Sequence, residues 1–247
     1  MELNLIDNYF NDSLKKINLI ANRLCKDFNS SNIRFVKIDN FLPIELALYL
    51  ESVFPKVSSE SNLKSRRYQI GKHIISKDLK NTHLLDEALL KMLENFKKNE
   101  FINFLKKVSG IDDLKADYDD WGGGIQQSER GGFLRRHLDA PNKDNNKNIF
   151  RRLNVIFYLN SNWKASYKGD LEIWDNQHSN KSIFKVSPII NRLIIFETSD
   201  KSWHGFPEKL NCPKNLTRKS IALFYYSNNQ GLQNRKQIGP AWFDEMK

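Results

Sequence analysis

Apolar residues recur every three or four positions along the first 28 residues of the chain. This spacing, from Leu3 to Phe28, predicts one amphipathic helix that packs on another element. The polar run Asn29 to Asn32 ends it, and Ile33 to Ile38 is typical of a strand. A second helix is predicted from Pro43 to about Phe54, because proline is favoured in the first turn of a helix.

Two more helices are predicted before residue 118, one through Phe96, with Asn81 or Thr82 as its cap, and one from Phe101 to about Val108. From residue 121 onward the pattern changes to short apolar runs separated by turns. The runs predicted as strands are Gly124 to Gln127, Gly132 to His137, Leu153 to Leu159, Asp170 to Trp174, Ile183 to Val186, Arg192 to Phe196 and Ser220 to Tyr226. Strands at this spacing after a helical lead-in indicate a sandwich or barrel buttressed by helices.

We expect residues 1–247 to form one domain, since no internal repeat or long linker interrupts the pattern. Within it, residues 1–118 form a helical N-terminal support region. Residues 119–230 form the β-rich core, and residues 231–247 form a C-terminal tail.

The composition is that of a globular protein, with 40% hydrophobic residues. No run approaches the roughly 18 consecutive apolar residues that a membrane span requires, and the N-terminus lacks the order of a signal peptide. We therefore expect a soluble, cytoplasmic protein that does not bind membranes. Cys25 and Cys212 lie far apart and lack the spacing of a disulfide framework or a zinc ribbon.

The chain carries a formal net charge of +10. Such an excess raises the question of nucleic acid or another acidic partner. Much of it, however, lies in polar segments such as Lys143 to Lys147, and charge alone is a weak argument for nucleic acid. The same excess would favour anionic co-substrates.

The candidate chemistry begins with His137 and Asp139, which lie two residues apart in a predicted strand. Side chains at this spacing project to the same side of a strand. A second strand that brought His204 to the same point would complete two histidines and one carboxylate, the facial triad of non-haem Fe(II) sites. Each fragment alone is a common pattern.

A further pair, Arg218 and Ser220, leads into the apolar run that ends at Tyr226. These two residues also share a strand face, so a guanidinium and a hydroxyl can converge on one carboxylate. Four matched elements in this order are far more specific than any one of them.

The ordered set resembles the Fe(II)/2-oxoglutarate-dependent dioxygenases, and within them the prolyl 4-hydroxylase and hypoxia-factor prolyl hydroxylase branch. The resemblance covers about residues 120–230, with a weaker echo in Phe35 to Phe54. Besides the motifs above, the matching segments are Arg151 to Asn160, Trp163, Gly169 to Trp174, Pro188 to Phe196, His204 to Pro207 and Arg218 to Tyr226. The resemblance implies a double-stranded β-helix, or jelly roll, buttressed by helices.

By position, the resemblance implies three iron ligands and a group of residues that bind the co-substrate. The ligands would be His137, Asp139 and His204. Arg218 would pair with the distal carboxylate of 2-oxoglutarate, together with Ser220 and the hydroxyl of Tyr158. The cofactors implied are Fe(II), 2-oxoglutarate as co-substrate and O2, and the branch also suggests ascorbate binding.

Two positions complicate the match. Gln127 stands roughly where relatives have another tyrosine on the co-substrate side. Some prolyl hydroxylases use lysine in place of the arginine, so Lys219 is an alternative to Arg218, although strand alternation turns it away from Ser220.

A charge count agrees with the implied site. Fe(II) with one carboxylate and two neutral imidazoles carries a single positive charge, bound 2-oxoglutarate makes the total singly negative, and Arg218 restores neutrality. A neutral total avoids the large cost of an isolated buried charge.

We therefore predict a 2-oxoglutarate-dependent hydroxylase of an unactivated C–H bond, with a prolyl residue in a peptide or protein, or a free amino acid, as its first candidate substrate. One alternative is a hydroxylase of another small metabolite. Another is a nucleic-acid demethylase, but such enzymes carry a second arginine six residues after the first, where this chain has Phe224. An alternative of a different class is a non-catalytic or zinc-binding jelly-roll module. The sequence does not specify the oligomeric state.

Overall fold

A computed structural model of the chain describes residues 1–56, 65–67, 72–75, 85–118, 123–143, 146–231 and 241–242. Its helices are α1 Leu3–Asn18, α2 Ala21–Phe28, α3 Ile44–Ser52, α4 Glu87–Lys97 and α5 Asn99–Ser109. Its strands are β1 Phe35–Asp39, β2 Ser65–Arg67, β3 Lys72–Ile75, β4 Lys115–Ala116, β5 Gly124–Ser128, β6 Leu134–Leu138, β7 Asn142–Lys143, β8 Asn146–Tyr158, β9 Leu171–Trp174, β10 Phe184–Val186, β11 Arg192–Glu197, β12 Trp203–Phe206, β13 Arg218–Ser227 and β14 Ala241–Trp242. In these ranges no helix is long and apolar enough to cross a membrane.

The prediction of one helix over residues 3–28 is wrong, because the chain turns between α1 and α2. The amide of Asn18 donates to the carbonyl of Leu14 at 2.9 Å. The backbone N–H of Leu19 bonds three residues back, to Lys16, which tightens the last turn of α1. Leu19 is 86% exposed, while Ile17 and Ile20 on either side pack on the core. The apolar spacing therefore runs on across the break without marking it.

The other helices agree with the sequence pattern apart from their ends. Helix α4 is capped by Asp86, whose side chain accepts from the backbone N–H of Ala88 at 2.8 Å. The predicted caps Asn81 and Thr82 lie outside the described residues. Helix α5 ends at Gly110, which adopts the left-handed conformation that glycine tolerates best.

The strands form two antiparallel sheets, so the chain is mainly β with helices. The larger sheet has the order β1-β11-β8-β13-β5-β3-β2, with β4 on β13 and β7 on β8. The smaller sheet has the order β10-β9-β12-β6-β14. The strand predicted at Ile33 to Ile38 and the seven strands predicted after residue 121 are all present with shifted ends. The strand pattern missed β3, β4, β7 and β14, and the strand around His204, β12, was inferred only from the metal-site argument.

The two faces of the larger sheet meet different neighbours. In β8, Leu153, Val155 and Phe157 pack in one core with the helices. The alternate residue Tyr158 packs instead with Leu171 of the smaller sheet. Because side chains alternate along a strand, polar residues of β8 and β13 that fall on this second face are buried between the two sheets.

Asn191, in the turn before β11, joins that turn to the lead-in of α3. Its side-chain oxygen accepts from the Leu42 N–H at 2.8 Å and its amide donates to the Leu42 carbonyl at 2.6 Å. Its backbone is left-handed, with φ of 62°. Asn191→Ala should therefore lower the free energy of unfolding by about 2 to 5 kcal/mol, since two buried backbone groups lose their partners.

Urea denaturation would measure this loss, and Asn191→Gly is the matched control. Glycine accepts the left-handed backbone but cannot restore the two hydrogen bonds. Wild-type stability in Asn191→Gly would show that backbone conformation, and not the bonds to Leu42, matters at this turn.

Candidate metal centre

Strands β6 and β12 place two histidines directly opposite each other. His137 pairs with His204 across the ladder, and their ring centroids lie 4.4 Å apart. Asp139 follows the end of β6, with its Oδ1 3.5 Å from His137 Nε2 and its Oδ2 3.5 Å from His204 Nε2. One potential ligand atom from each residue lies within 4.8 Å of the other two. The three residues predicted from the sequence are thus brought together.

Both imidazoles are oriented by a backbone carbonyl. His137 Nδ1 lies 2.9 Å from the carbonyl oxygen of Arg135, and His204 Nδ1 lies 2.9 Å from that of Ser202. A carbonyl oxygen only accepts, so each Nδ1 carries a hydrogen, and in a neutral ring Nε2 then holds the lone pair that a metal would use. This is the tautomer and support that metal-binding histidines use. Two Nε2 lone pairs and a carboxylate fit a divalent transition metal.

Gly205 permits the close approach of the two histidine strands. A Cβ atom on Gly205 would lie 2.7 Å from the carbonyl oxygen of Leu134 and 2.8 Å from that of Arg135. The Arg135 carbonyl is also the acceptor of His137 Nδ1. A side chain at Gly205 would therefore push away the strand that carries His137.

Two residues outside the triad hold the carboxylate of Asp139. Arg151 Nη1 lies 3.1 Å from Oδ1, and Asn154 Nδ2 donates to Oδ2 at 2.7 Å. Burial alone would raise the pKa of Asp139, but the Arg151 guanidinium and the two imidazoles hold it well below its ordinary value. Asp139 is therefore a carboxylate at neutral pH.

The sequence interpretation gave Arg151 and Asn154 no role, and its charge count left out the buried cation of Arg151. Strand alternation back from Tyr158 could have placed Asn154 on the site face. Arg151 could not be found in this way, because the β8 register shifts between the partners of Tyr225 and Tyr226. Such a bulge changes the direction of a side chain without a sequence signal. The sequence-based charge count of the metal, its ligands, 2-oxoglutarate and Arg218 summed to zero. It is incomplete, because Arg151 adds one more positive charge.

The protonation of His204 is also set by its surroundings. Burial, and then the neighbouring His137, lower the pKa of His204 to about 4. His204 is neutral at physiological pH, which a metal ligand requires.

A buried guanidinium lies on the same sheet face, at the start of β13. Arg218 Nε donates to the carbonyl of Gly169 at 2.8 Å, and Nη2 donates to the Tyr158 hydroxyl at 2.9 Å. Its guanidinium carbon lies 4.3 Å from the centroid of the Phe206 ring. Ser220, also buried, pairs across the ladder with Tyr158. Burial raises the pKa of Tyr158, so its hydroxyl stays protonated.

Among the described residues, Arg218 forms no ion pair with a carboxylate, although the residue is only 4% exposed. A buried cation without a counter-charge is costly. The carboxylate of a ligand would supply that charge, and the hydroxyls of Tyr158 and Ser220 are suited to bind the same group.

One face of β8 connects the two groups. Asn154, beside Asp139, and Tyr158, beside Arg218, are four residues apart on that face, about 13 Å at the rise of a strand. Ile156 lies between them, opposite Ala222 of β13. The arrangement is a metal-type ligand set and a carboxylate-binding group at two ends of one apolar floor.

Lys219 and Gln127 lie on the other face of the larger sheet. Lys219 Nζ is 3.7 Å from Glu51 of α3. The Gln127 amide donates to the Pro55 carbonyl at 2.7 Å, and its oxygen accepts from Thr217 at 3.0 Å. Neither residue shares the face of Arg218.

Residues 123–226 match the family model described as the 2OG-Fe(II) oxygenase superfamily. A similar curated protein is prolyl hydroxylase EGLN3 of Homo sapiens, which is 30% identical over 104 residues. The alignment covers 42% of this chain and 38% of that protein, so the chain spans well under half the length of this relative. The Mus musculus protein of the same name is 29% identical over 104 residues, again 42% of this chain and 38% of that protein.

Solved structures similar to this fold include several prolyl hydroxylases. One, from Trichoplax adhaerens, is a complex with a peptide fragment of the hypoxia-inducible factor oxygen degradation domain. It shares 22% identity at a TM-score of 0.54, covering 88% of this chain and 93% of that one. A Pseudomonas putida prolyl-4-hydroxylase shares 20% identity at a TM-score of 0.52, covering 84% and 97%. A Phytophthora capsici prolyl 4-hydroxylase shares 17% at a TM-score of 0.60, covering 90% and 67%.

Gly205→Ala should destabilise the protein by about 1 to 3 kcal/mol and weaken metal binding, because the added methyl group separates the histidine strands. Thermal unfolding and a Co(II) titration measure the two effects. Gly131→Ala is the control for metal binding: its left-handed backbone (φ of 82°) strains an alanine, but nothing lies within 4 Å of the added Cβ, so it should lose stability without losing metal affinity. Equal metal affinity in Gly205→Ala and the wild type would contradict the close-approach argument.

The stability of the metal-free protein should fall as the pH drops from 6.5 toward 4, the ordinary and lowered pKa values of His204. The unfolded chain takes up a proton at His204 in this range, while the folded protein does not. The loss should reach roughly 3 kcal/mol across the window. Urea titrations at several pH values test this, and His204→Gln should show a correspondingly shallower slope.

Proposed function

We propose, from the match of residues 123–226 to the 2OG-Fe(II) oxygenase superfamily model, that this chain is an Fe(II)- and 2-oxoglutarate-dependent hydroxylase of prolyl residues in a peptide or protein. The observation that carries this proposal is the meeting of His137, Asp139 and His204 beside a buried arginine that has no acidic partner in the described part of the chain.

The finer fold assignment is a double-stranded β-helix. Two antiparallel sheets that enclose the metal-type ligands support it, as do the similar solved prolyl hydroxylases. We keep the division into a helical support region, a β core and a tail within one domain as part of the proposal.

His137, Asp139 and His204 would hold the iron, because their donor atoms and tautomers suit it. With 2-oxoglutarate and O2, the bound iron supplies the oxidation of a C–H bond to an alcohol, and succinate and carbon dioxide are the other products. The carbonyls of Arg135 and Ser202 each accept from Nδ1, which orients each ring with Nε2 toward the metal position.

Arg218 would hold the distal carboxylate of 2-oxoglutarate, with the hydroxyls of Tyr158 and Ser220 completing its hydrogen bonds. Phe206 packs under the Arg218 guanidinium, and the Phe196 ring lies 5.0 Å from the His204 ring. These apolar walls exclude water from the charged groups and so strengthen their interactions.

The prolyl substrate is proposed from the relatives. EGLN3 is named as a prolyl hydroxylase, and the Trichoplax enzyme was solved with a peptide fragment. Where relatives with demethylase activity would carry a second arginine, the ring of Phe224 packs beneath the Arg151 guanidinium at 3.7 Å. A cytoplasmic location and ascorbate binding stay predictions.

The purified protein with Fe(II), ascorbate and O2 should convert 2-oxoglutarate to succinate, and a proline-containing peptide should raise that rate and gain one oxygen atom by mass spectrometry. Asp139→Ala should abolish the coupled reaction, because it removes the only anionic ligand of the proposed metal site. Retained turnover in that variant would disprove the ligand assignment. Turnover stimulated by free proline, and by no peptide, would replace the peptide substrate with an amino acid.

Arg218→Met should raise the 2-oxoglutarate KM by about 10- to 100-fold, the loss expected for hydrogen bonds to a charged group. Lys219→Met is the matched control, since that side chain faces Glu51 on the opposite side of the sheet. An unchanged KM in Arg218→Met together with a raised KM in Lys219→Met would transfer the role to the lysine.

A further inference from the structure

Arg151 and Asn154 each contact one oxygen of the Asp139 carboxylate, and neither residue belongs to the metal triad. We propose that Arg151 and Asn154 are positioning residues that fix the orientation of Asp139 before the metal binds and thereby set the metal affinity. The inference rests on the proposed function, because it assumes that Asp139 is a metal ligand.

Arg151 is held rigidly on the site face. Its guanidinium carbon lies 3.7 Å from the Phe224 ring centroid, and Nη2 donates to the Tyr226 hydroxyl at 3.4 Å. The residue is only 4% exposed. A stacked, buried guanidinium loses little freedom when it pairs with a carboxylate, so its hold on Asp139 Oδ1 is geometrically specific.

Asn154 supports the other oxygen from the middle of the larger sheet. Its backbone lies between Phe196 of β11 and Phe224 of β13, and the residue is 2% exposed. Its Nδ2 donates to Asp139 Oδ2, while its Oδ1 has no hydrogen-bond partner among the described residues. A buried polar atom without a partner destabilises a fold. Asn154 is therefore better explained by its bond to Asp139 than by a contribution to stability.

The two donors together determine the plane of the carboxylate. Oδ1 contacts Arg151 on one side and faces His137 Nε2 at 3.5 Å on the other, and Oδ2 does the same with Asn154 and His204 Nε2. Each oxygen is thus held between one outer residue and one imidazole. Loss of such an outer partner typically weakens metal binding by about 10- to 100-fold.

The neighbouring Arg152 provides a matched control within the same strand. It is also buried, at 5% exposure, but its Nη2 pairs with Glu197 at 3.0 Å and its Nη1 donates to the carbonyl of Asn229 at 3.0 Å. It contributes a buried ion pair without contacting the triad. Its removal should cost stability and leave the metal site unchanged.

The test is a titration of the full chain with Co(II), followed by visible absorption and calorimetry, with thermal unfolding of each variant alongside. Arg151→Met and Asn154→Leu should each weaken Co(II) binding by about 10- to 100-fold and shift the absorption bands at saturation, because the carboxylate rotates. Arg151→Lys should recover part of the affinity, since it restores a cationic donor. Arg152→Met should melt at a lower temperature with wild-type affinity and bands.

Co(II) affinities and bands of Arg151→Met and Asn154→Leu that match the wild type would overturn the inference and leave the proposed function intact. If Arg151→Met does not fold, Asn154→Leu and Arg151→Lys provide the test. Wild-type Co(II) affinity and bands in both variants would then overturn the inference. The proposed function fails separately if the wild type binds Co(II) no better than Asp139→Ala does.

Discussion

The pairing of β6 with β12 is the constraint on which the site depends. His137 lies opposite His204 only while the two backbones stay as close as Gly205 allows. The same approach leaves the Arg135 carbonyl available to the His137 ring, so backbone position and imidazole tautomer are set together. Asp139, just beyond the end of β6, then falls between the two Nε2 atoms without a separate element to carry it.

The two faces of the larger sheet have different roles: one packs on the helices, and the other carries the polar residues of the site. Leu153, Val155 and Phe157 face the helices, while Asn154 and Tyr158 of the same strand face the smaller sheet. A continuous apolar core on one side stabilises the strand strongly enough to carry buried polar groups on the other, where each such group is costly. The described helices thus support the site, and none of their residues belongs to the metal ligand set.

The features that could be predicted from the sequence were those that depend on the regular spacing of side chains along a strand or helix. The two-residue alternation of side chains along a strand placed His137 with Asp139 and Arg218 with Ser220. It also placed Lys219 correctly on the opposite face of the sheet from Arg218. Features set by a single contact were not predictable, such as the break near Leu19 and the bulge that directs Arg151 at Asp139. The charge count went wrong for that reason, since strand alternation does not extend across a bulge.

The proposed site binds a metal through His137, Asp139 and His204 and 2-oxoglutarate through Arg218 on the same sheet face. The most direct measurement is the visible absorption of the protein titrated anaerobically with Fe(II) and then with 2-oxoglutarate. A keto acid that chelates the iron produces a metal-to-ligand charge-transfer band. The account predicts that band at one equivalent of each ligand, with succinate formed once O2 is admitted. A wild-type protein that binds Fe(II) but gives no band at saturating 2-oxoglutarate would contradict it.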